Sequence, residues 1–312
     1  MWSVGNHYKV YQGLINGSIE LPSIGSHFAN LKHQVESNNF NLAGSPVNQQ
    51  LLIALSADHD LSQLLINGAN QSRYYGSPLV TSLSTAITRL APKKISDLIT
   101  LFAIRDVVLP DNLPANHYIR NLWEDTLQLS AICCAINYRL TQTSGVHFDH
   151  SALAGLVVHL GTIMLLTTFR NSGLTVPSHQ QIEDVPDILS CNIASLAALH
   201  WQMDPAISEC ALRKSQYNEV NFDKFSILDV LHMAITLHRK NQQKDIAHPA
   251  LKHSFPFIKA VKQRLIREEA DHFTQMVEGH ALAIFQGLSP LINKYPVNNF
   301  IRHNPSQFRK QG

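Results

Sequence analysis

The sequence has almost none of the patterns that predict β-strands. No run of alternating β-branched residues is bounded by an Asn-Gly or Asp-Gly turn, the usual signal of a hairpin. Apolar residues recur instead at spacings of three and four, as in Ile95, Leu98, Ile99 and Phe102. That spacing places side chains on one face of a helix. The sequence therefore predicts an all-α fold.

Charge is also scarce, and so are the motifs of common nucleotide-binding sites and hydrolases. Charged residues make up 15% of the 312 residues and the net charge is +2, which argues against an extended basic surface for nucleic acid. The basic stretch at residues 302–312 has no companion patch, so we do not expect a nucleic-acid partner. The chain has no Walker A sequence, no Rossmann glycine fingerprint and no G-x-S-x-G elbow.

Cysteine occurs at four positions only, Cys133, Cys134, Cys191 and Cys210. No two of them form a C-x-x-C pair, and a chain of this length does not need a disulfide framework. We therefore expect buried, reduced thiols in a cytoplasmic protein. Histidine, in contrast, is abundant with seventeen residues, so every plausible metal cluster has to be considered.

One segment is apolar enough to raise the question of a membrane. Residues Ser151 to Phe169 match the length of a spanning helix, but His159 lies at the centre and no Lys or Arg cluster flanks the segment. A helix that is apolar all round is also typical of a protein core. We expect a core helix and no membrane partner, and the first seventeen residues do not have the pattern of a secretory signal.

The prolines and polar stretches divide the chain into parts. Residues 1–19 form a leading segment, residues 20–108 form an N-terminal helical group, and Pro110 to Pro114 make a linker. Residues 115–217 form a more apolar group. Residues 218–312 are more polar and are predicted to pack as a C-terminal helical extension.

Four landmarks follow one another along the chain: "ELPSIGSHF", "DHDLSQLLINGANQSRYYGSPLVTSLSTAITRL", "LAGLVVHLGTIML" and "ALHWQMDPAISECAL". In this order they resemble the HDOD family, which is related to the HD metal-dependent phosphohydrolases. The second landmark includes Asn70, Tyr74, Tyr75 and Gly76, which match a turn typical of the family. The likeness covers residues 20–217, and it implies an HD-like helical bundle in residues 115–217.

The resemblance also implies where an HD enzyme would bind its metal, and those positions have changed. His159 matches the first half of the His-Asp doublet, but Leu160 takes the second half and offers no donor atom. Asp125 stands where an earlier His is expected. The later His positions read Ser190 or Cys191, and Ser215 with Gln216. We therefore expect a vestigial pocket at His159 and Asp125, with no metal and no cofactor.

Other uses of these histidines stay open. Asp125 and His159 could converge across two helices, although two protein ligands fall short of the three that catalytic zinc sites keep. His159 could equally be a hydrogen-bonded core residue. Asp149 and His150 lie about 14 Å upstream of His159 along the same helix, too far to join it. His232 and His238 are six residues apart, which does not place them on one helical face.

The resemblance implies bacterial signal transduction in the cytoplasm. On that interpretation the chain is a regulatory module that binds a signalling protein or a small ligand and does not catalyse a reaction. The main alternative is a divergent metal-dependent phosphohydrolase acting on a nucleotide or phosphoester. A nucleic-acid-associated protein using the C-terminal third is a third class.

Overall fold

The computed structural model describes most of the chain in nine pieces. They cover residues 5–37, 46–71, 77–109, 117–145, 147–171, 182, 185–216, 226–241 and 267–292. Within these residues every regular element is a helix. The predicted all-α fold is therefore confirmed.

Six helices precede residue 109. Their bounds are α1 Gly5–Asn16, α2 Ser26–Ser37, α3 Pro46–Ser56, α4 His59–Ala69, α5 Leu83–Arg89 and α6 Pro92–Val108. Polar caps explain where two of them begin. Asp58 accepts a hydrogen bond from the Leu61 amide at the start of α4, and Ser82 accepts one from the Thr85 amide at the start of α5.

Four further helices form the bundle. They are α7 His117–Ser144, α8 Ser151–Asn171, α9 Asp187–His200 and α10 Pro205–Arg213. Two glycines let α8 approach its neighbours closely. A Cβ atom on Gly155 would overlap the backbone at Ser130 of α7, and one on Gly161 would overlap the backbone at Ser190 of α9. The middle of α8 is thereby held against both helices.

The C-terminal part adds α11 Ile227–Asn241, α12 Arg267–Gly287 and a short 3₁₀ turn at Ser289–Leu291. Both helices pack on α7. The turn is tied to the bundle because the indole of Trp123 donates to the Leu291 carbonyl at 3.0 Å.

A single apolar core runs through all of these helices, from Val10 to Leu291. α8 lies at its centre. This helix is long and apolar enough to span a membrane, yet 83% of its most apolar window is buried by the rest of the protein. It is therefore a core helix, as expected from its sequence. The four cysteines are free and buried in the same core.

Candidate functional site

Asp125 on α7 is hydrogen-bonded by two imidazoles from two other helices. Nε2 of His159, on α8, lies 2.9 Å from Oδ2, and Nε2 of His238, on α11, lies 2.8 Å from Oδ1. An ionised carboxylate can only accept, so both imidazoles carry a proton on Nε2. We call Asp125, His159 and His238 the carboxylate clamp. It joins three helices through one side chain.

The clamp has a defined charge state. Burial raises the pKa of the Asp125 carboxyl, but the hydrogen bonds from His159 and His238 outweigh burial and hold that pKa well below its usual range. Burial also lowers the pKa of His159, and the bond to Asp125 offsets this only in part. Near neutral pH, Asp125 is therefore charged and His159 is neutral.

A buried lysine lies beside the clamp. Lys214 follows the end of α10, is 7% exposed, and donates from Nζ to the carbonyls of Val157 and Val158 at 3.2 and 2.5 Å. Its third acceptor is the hydroxyl of Ser190 at 3.3 Å. Burial lowers the pKa of this ammonium group. Its charge also lowers the pKa of His159, so it opposes further positive charge at this point.

The neighbouring positions hold no carboxylate. The side chain of Leu160 is fully buried in the core, where the family resemblance expected an aspartate. Ser190 accepts from Lys214, and Cys191 contacts the hydroxyl of Ser215 at 3.7 Å. The positions aligned with HD metal ligands thus lie close together, and they hold a leucine, two hydroxyls and a thiol.

The structure brings Asp125 and His159 together, which the sequence left open, and it adds His238. The sequence did not predict His238, because it lies six residues from His232 and the two do not share a helical face. A better signal was available. Leu231, Ala234 and His238 follow a helical stripe of i, i+3 and i+7, and all three are buried. A histidine on an otherwise apolar stripe needs a polar partner.

The predicted family turn at Asn70 and the residue His150 lie away from the clamp. Asn70 donates to the Val80 carbonyl and accepts from the Val80 amide, both at 2.9 Å, so it closes a loop. Tyr74, Tyr75 and Gly76 lie outside the described residues. His150 does not reach the clamp, as expected, because its Nδ1 lies 2.6 Å from Oδ1 of Asp97 on α6.

The comparisons with known proteins identify the family. The model of the HDOD domain matches residues 21–217, which is more than half of the chain. The chain belongs to the HDOD family. The resemblance seen in the sequence is therefore confirmed, and its predicted start differs by one residue. No curated protein matches the chain.

Several solved structures share the fold. A protein from Shewanella amazonensis SB2B, provisionally named a metal-dependent phosphohydrolase, is 16% identical, with a TM-score of 0.72 over 91% of this chain and 99% of its own. A provisionally named signal transduction protein from Marinobacter aquaeolei VT8 is also 16% identical, with a TM-score of 0.55 over 92% of this chain and 65% of its own. At this identity the likeness concerns the fold alone.

The metal centre implied by the HD relationship can be tested against the residues present. Among the described residues, no group of three or more His, Cys, Asp or Glu side chains is arranged to hold a metal ion. Each Nε2 atom of the clamp already donates to a carboxylate oxygen, so it has no lone pair for a metal. Leu160 supplies no oxygen, and Lys214 adds a positive charge. These residues do not fit a phosphohydrolase metal centre.

Proposed function

We propose that this HDOD protein is a non-catalytic regulatory module of bacterial signal transduction. It acts in the cytoplasm by binding a signalling protein or a small ligand, and its metal centre is degenerate. The observation that carries the proposal is the carboxylate clamp. A hydrolase of this class needs a metal-bound water, and the only carboxylate of the described centre is shared between two imidazole N–H groups.

The neighbouring charge supports the same proposal. A divalent cation would have to displace two hydrogen bonds from Asp125 and sit close to the buried ammonium of Lys214. Hard ions such as Mg²⁺ bind through several oxygen ligands. The centre offers one carboxylate, while Leu160 and Lys214 provide no anionic oxygen.

A divergent phosphohydrolase is the second candidate. The observation in its favour is that Asp125, His159 and His238 do converge, and two histidines with one carboxylate are a known set of zinc ligands. To hold a metal between Nε2 and Asp125, both imidazoles would have to lose the Nε2 proton and their hydrogen bonds to Asp125.

Metal content and turnover decide between the two. The full chain is purified without added metal, then supplied separately with Mg²⁺, Mn²⁺ and Zn²⁺, and assayed with generic phosphodiesters and phosphomonoesters. We expect no stoichiometric metal and no turnover above the level of a His159→Ala variant. A bound metal and an activity that are both lost in His159→Ala would instead establish the phosphohydrolase.

A further inference from the structure

A second cluster of charged side chains lies at the start of α8, away from the clamp. It surrounds a cleft of about 100 Å³ lined by the end of α4, the first turns of α6, the middle of α7 and the segment 147–151. Pockets for drug-sized molecules measure about 300–1,000 Å³. The cleft is therefore too small for such a ligand, and what distinguishes this region is a set of ionic contacts between helices.

His150 contacts two aspartates on two different helices. Its Nδ1 atom lies 2.6 Å from Oδ1 of Asp97 on α6. Its Nε2 atom lies 3.7 Å from Oδ2 of Asp204. Asp204 caps the start of α10, because its side chain accepts from the Ala206 amide at 2.9 Å. The imidazole therefore lies between α6 and the first turn of α10.

The position of this imidazole is fixed from its own segment and from α6. Asn137 accepts from the Phe148 amide at 2.9 Å and donates to the Phe148 carbonyl at 2.7 Å. His150 has a φ of 59°, which is uncommon for a residue other than glycine. Asp97 is 2% exposed, whereas the side chain of Asp204 is 42% exposed. The contact with Asp97 is thus the buried one, and the contact with Asp204 is the one that can separate.

The two contacts respond differently to the protonation of His150. Asp97 accepts from the Nδ1–H group, which the ring keeps in its neutral form. The proton on Nε2 is then the one that is lost, so a lone pair faces the carboxylate of Asp204. The charged imidazole therefore attracts both α6 and α10, whereas the neutral imidazole keeps its bond to α6 alone.

The surrounding carboxylates favour the charged form of His150. The hydrogen bond with Asp97 raises the pKa of this imidazole, and burial opposes the rise. The charges of Asp97, Asp204 and Asp149 raise the same pKa further. The charged form of His150 therefore persists to a higher pH than that of a free histidine.

The other charged groups that line the cleft have partners of their own. Lys93 and His147 contact Asp149 at 2.5 and 3.8 Å. Asp149, and to a smaller extent Asp204, raise the pKa of Lys93. Lys94 donates to a cysteine thiol of α7 at 3.5 Å. Among the residues that the structure describes, the ion-pair partner of Asp204 is therefore His150.

A second contact holds the same segment without depending on the charge of His150. Lys32 on α2 donates to the carbonyl of Gln202 at 2.6 Å, two residues before the cap of α10. The other end of α10 leads to Lys214, which donates to the Val157 carbonyl beside the clamp. The helix is thus held at both ends, and one of the contacts at its start depends on a proton.

We propose that His150 is a pH-sensitive switch, which holds the start of α10 against α6 when it is charged and loosens it when it is neutral. The switch acts on the helix that leads to Lys214 and so reaches the neighbourhood of the clamp. The inference goes beyond the proposed regulatory role, because the same contacts would operate in a phosphohydrolase.

The direct test is hydrogen exchange of the full chain from about pH 6 to about pH 9. Observed rates are divided by the intrinsic rates at each pH, which gives the protection of each segment. The contact is complete below about pH 6.5 and is lost as the pH rises through the raised pKa of His150. We expect the protection of residues 203–208 to fall about threefold. Equal protection throughout this range would overturn the proposal.

Two substitutions remove one member each of the variable contact. Asp204→Asn removes the charge and keeps an acceptor for the Ala206 amide, because Asn and Asp are similarly good caps. His150→Asn keeps a donor for Asp97 and tolerates a positive φ. In both variants the protection of residues 203–208 should no longer fall with pH. A fall that persists in Asp204→Asn would overturn the proposal, whether or not His150→Asn folds.

The matched control is His147→Asn, since His147 lies in the same segment and contacts Asp149 instead of Asp204. This variant should show the same threefold fall in protection as the wild type. Loss of the fall in His147→Asn would assign the pH dependence to His147 and would contradict the switch.

The same coupling can be measured from the imidazole. Coupling between two sites is reciprocal, so the pKa of His150 should be lower in Asp204→Asn, with a proton affinity about threefold weaker. NMR of the imidazole measures this change, and an unchanged titration of His150 would overturn the proposal. These measurements use neither metal nor substrate, so their failure would leave the metal and turnover results untouched.

Discussion

The middle and the start of α8 use aspartate and histidine in opposite ways. In the middle of α8, the carboxylate clamp places one aspartate between two histidines, near the buried side chains of Leu160 and Lys214. At the start of α8, the cleft gives each aspartate its own cation and opens to solvent. The first arrangement uses up its polar atoms, whereas the second keeps donors to spare.

The difference also appears in the pKa shifts of His159, which lies on α8, and of His150, which directly precedes α8. Burial lowers the pKa of His159, and a single shared carboxylate does not reverse the effect. The bond from Asp97 raises the pKa of His150 despite its partial burial. The two His-Asp contacts therefore shift the imidazole pKa in opposite directions, and they differ in whether the carboxylate is shared between two imidazoles.

The largest expected effect comes from restoring the missing aspartate. Leu160→Asp places a carboxylate at a fully buried position among apolar side chains, so we expect unfolding to become easier by at least about 4 kcal/mol. Urea denaturation measures the loss. Leu160→Met keeps the volume and should cost less than about 1.5 kcal/mol. A stable Leu160→Asp protein that gains a metal would show that this region is not closed.

Removal of the shared carboxylate of Asp125 should lower the free energy of unfolding by less than Leu160→Asp does. Asp125→Ala leaves two imidazole N–H groups without their acceptor, and we expect a loss of about 2–3 kcal/mol in the free energy of unfolding. The matched variant in the cleft is Asp149→Ala, whose exposed ion pair should cost about 1 kcal/mol or less. Equal losses of stability in Asp125→Ala and Asp149→Ala would contradict the difference between the shared carboxylate of the clamp and the exposed ion pair.

The pH dependence of stability should change in opposite directions at the two histidines. The pKa of His159 is lowered in the folded state, so its contribution is complete above about pH 6.5 and is lost as the pH falls through the lowered pKa. The pKa of His150 is raised, so its contribution is complete below about pH 6.5 and is lost as the pH rises through the raised pKa.

Denaturation at a series of pH values around about 6.5 tests both signs. His159→Gln keeps a donor for Asp125 and should make stability increase less with pH. His150→Asn keeps a donor for Asp97 and tolerates a positive φ, and it should make stability increase more with pH. Shifts of the same sign in the two variants would contradict the comparison.

The smallest expected effect is on the stability of the cleft itself. Lys93→Gln removes an exposed charge that repels the start of α6, while it also removes the bond to Asp149. These two effects oppose each other, so the free energy of unfolding, measured by urea denaturation, should change by less than about 0.5 kcal/mol. A loss above about 2 kcal/mol would mean that Lys93 is a structural residue.

The sequence predicted the helical fold and the family because both depend on local patterns. Spacings of three and four identify helices, and the landmarks lie within residues 21–217. It also singled out Asp125, His159 and Leu160. The division of the chain into parts stays a prediction, although one core runs through all of them.

The partners of the site residues could not be predicted in the same way. His238 lies 113 residues from Asp125, and Lys214 lies 56 residues from the Val158 carbonyl to which it donates. Such contacts depend on how the helices pack and not on any spacing within one helix. The pairing of Asp97 with His150 is hidden for the same reason, since it joins α6 to the start of α8.

The central claim is that the region around His159 does not hold a metal. The most direct test is the melting temperature of the full chain after treatment with a chelator, measured with Mg²⁺, Mn²⁺ or Zn²⁺ added. A metal that binds the folded state raises the melting temperature, and the rise increases with the logarithm of its affinity and concentration. We predict the same value with and without each metal, in the wild type and in His159→Gln. A rise in the wild type that disappears in His159→Gln would contradict the account.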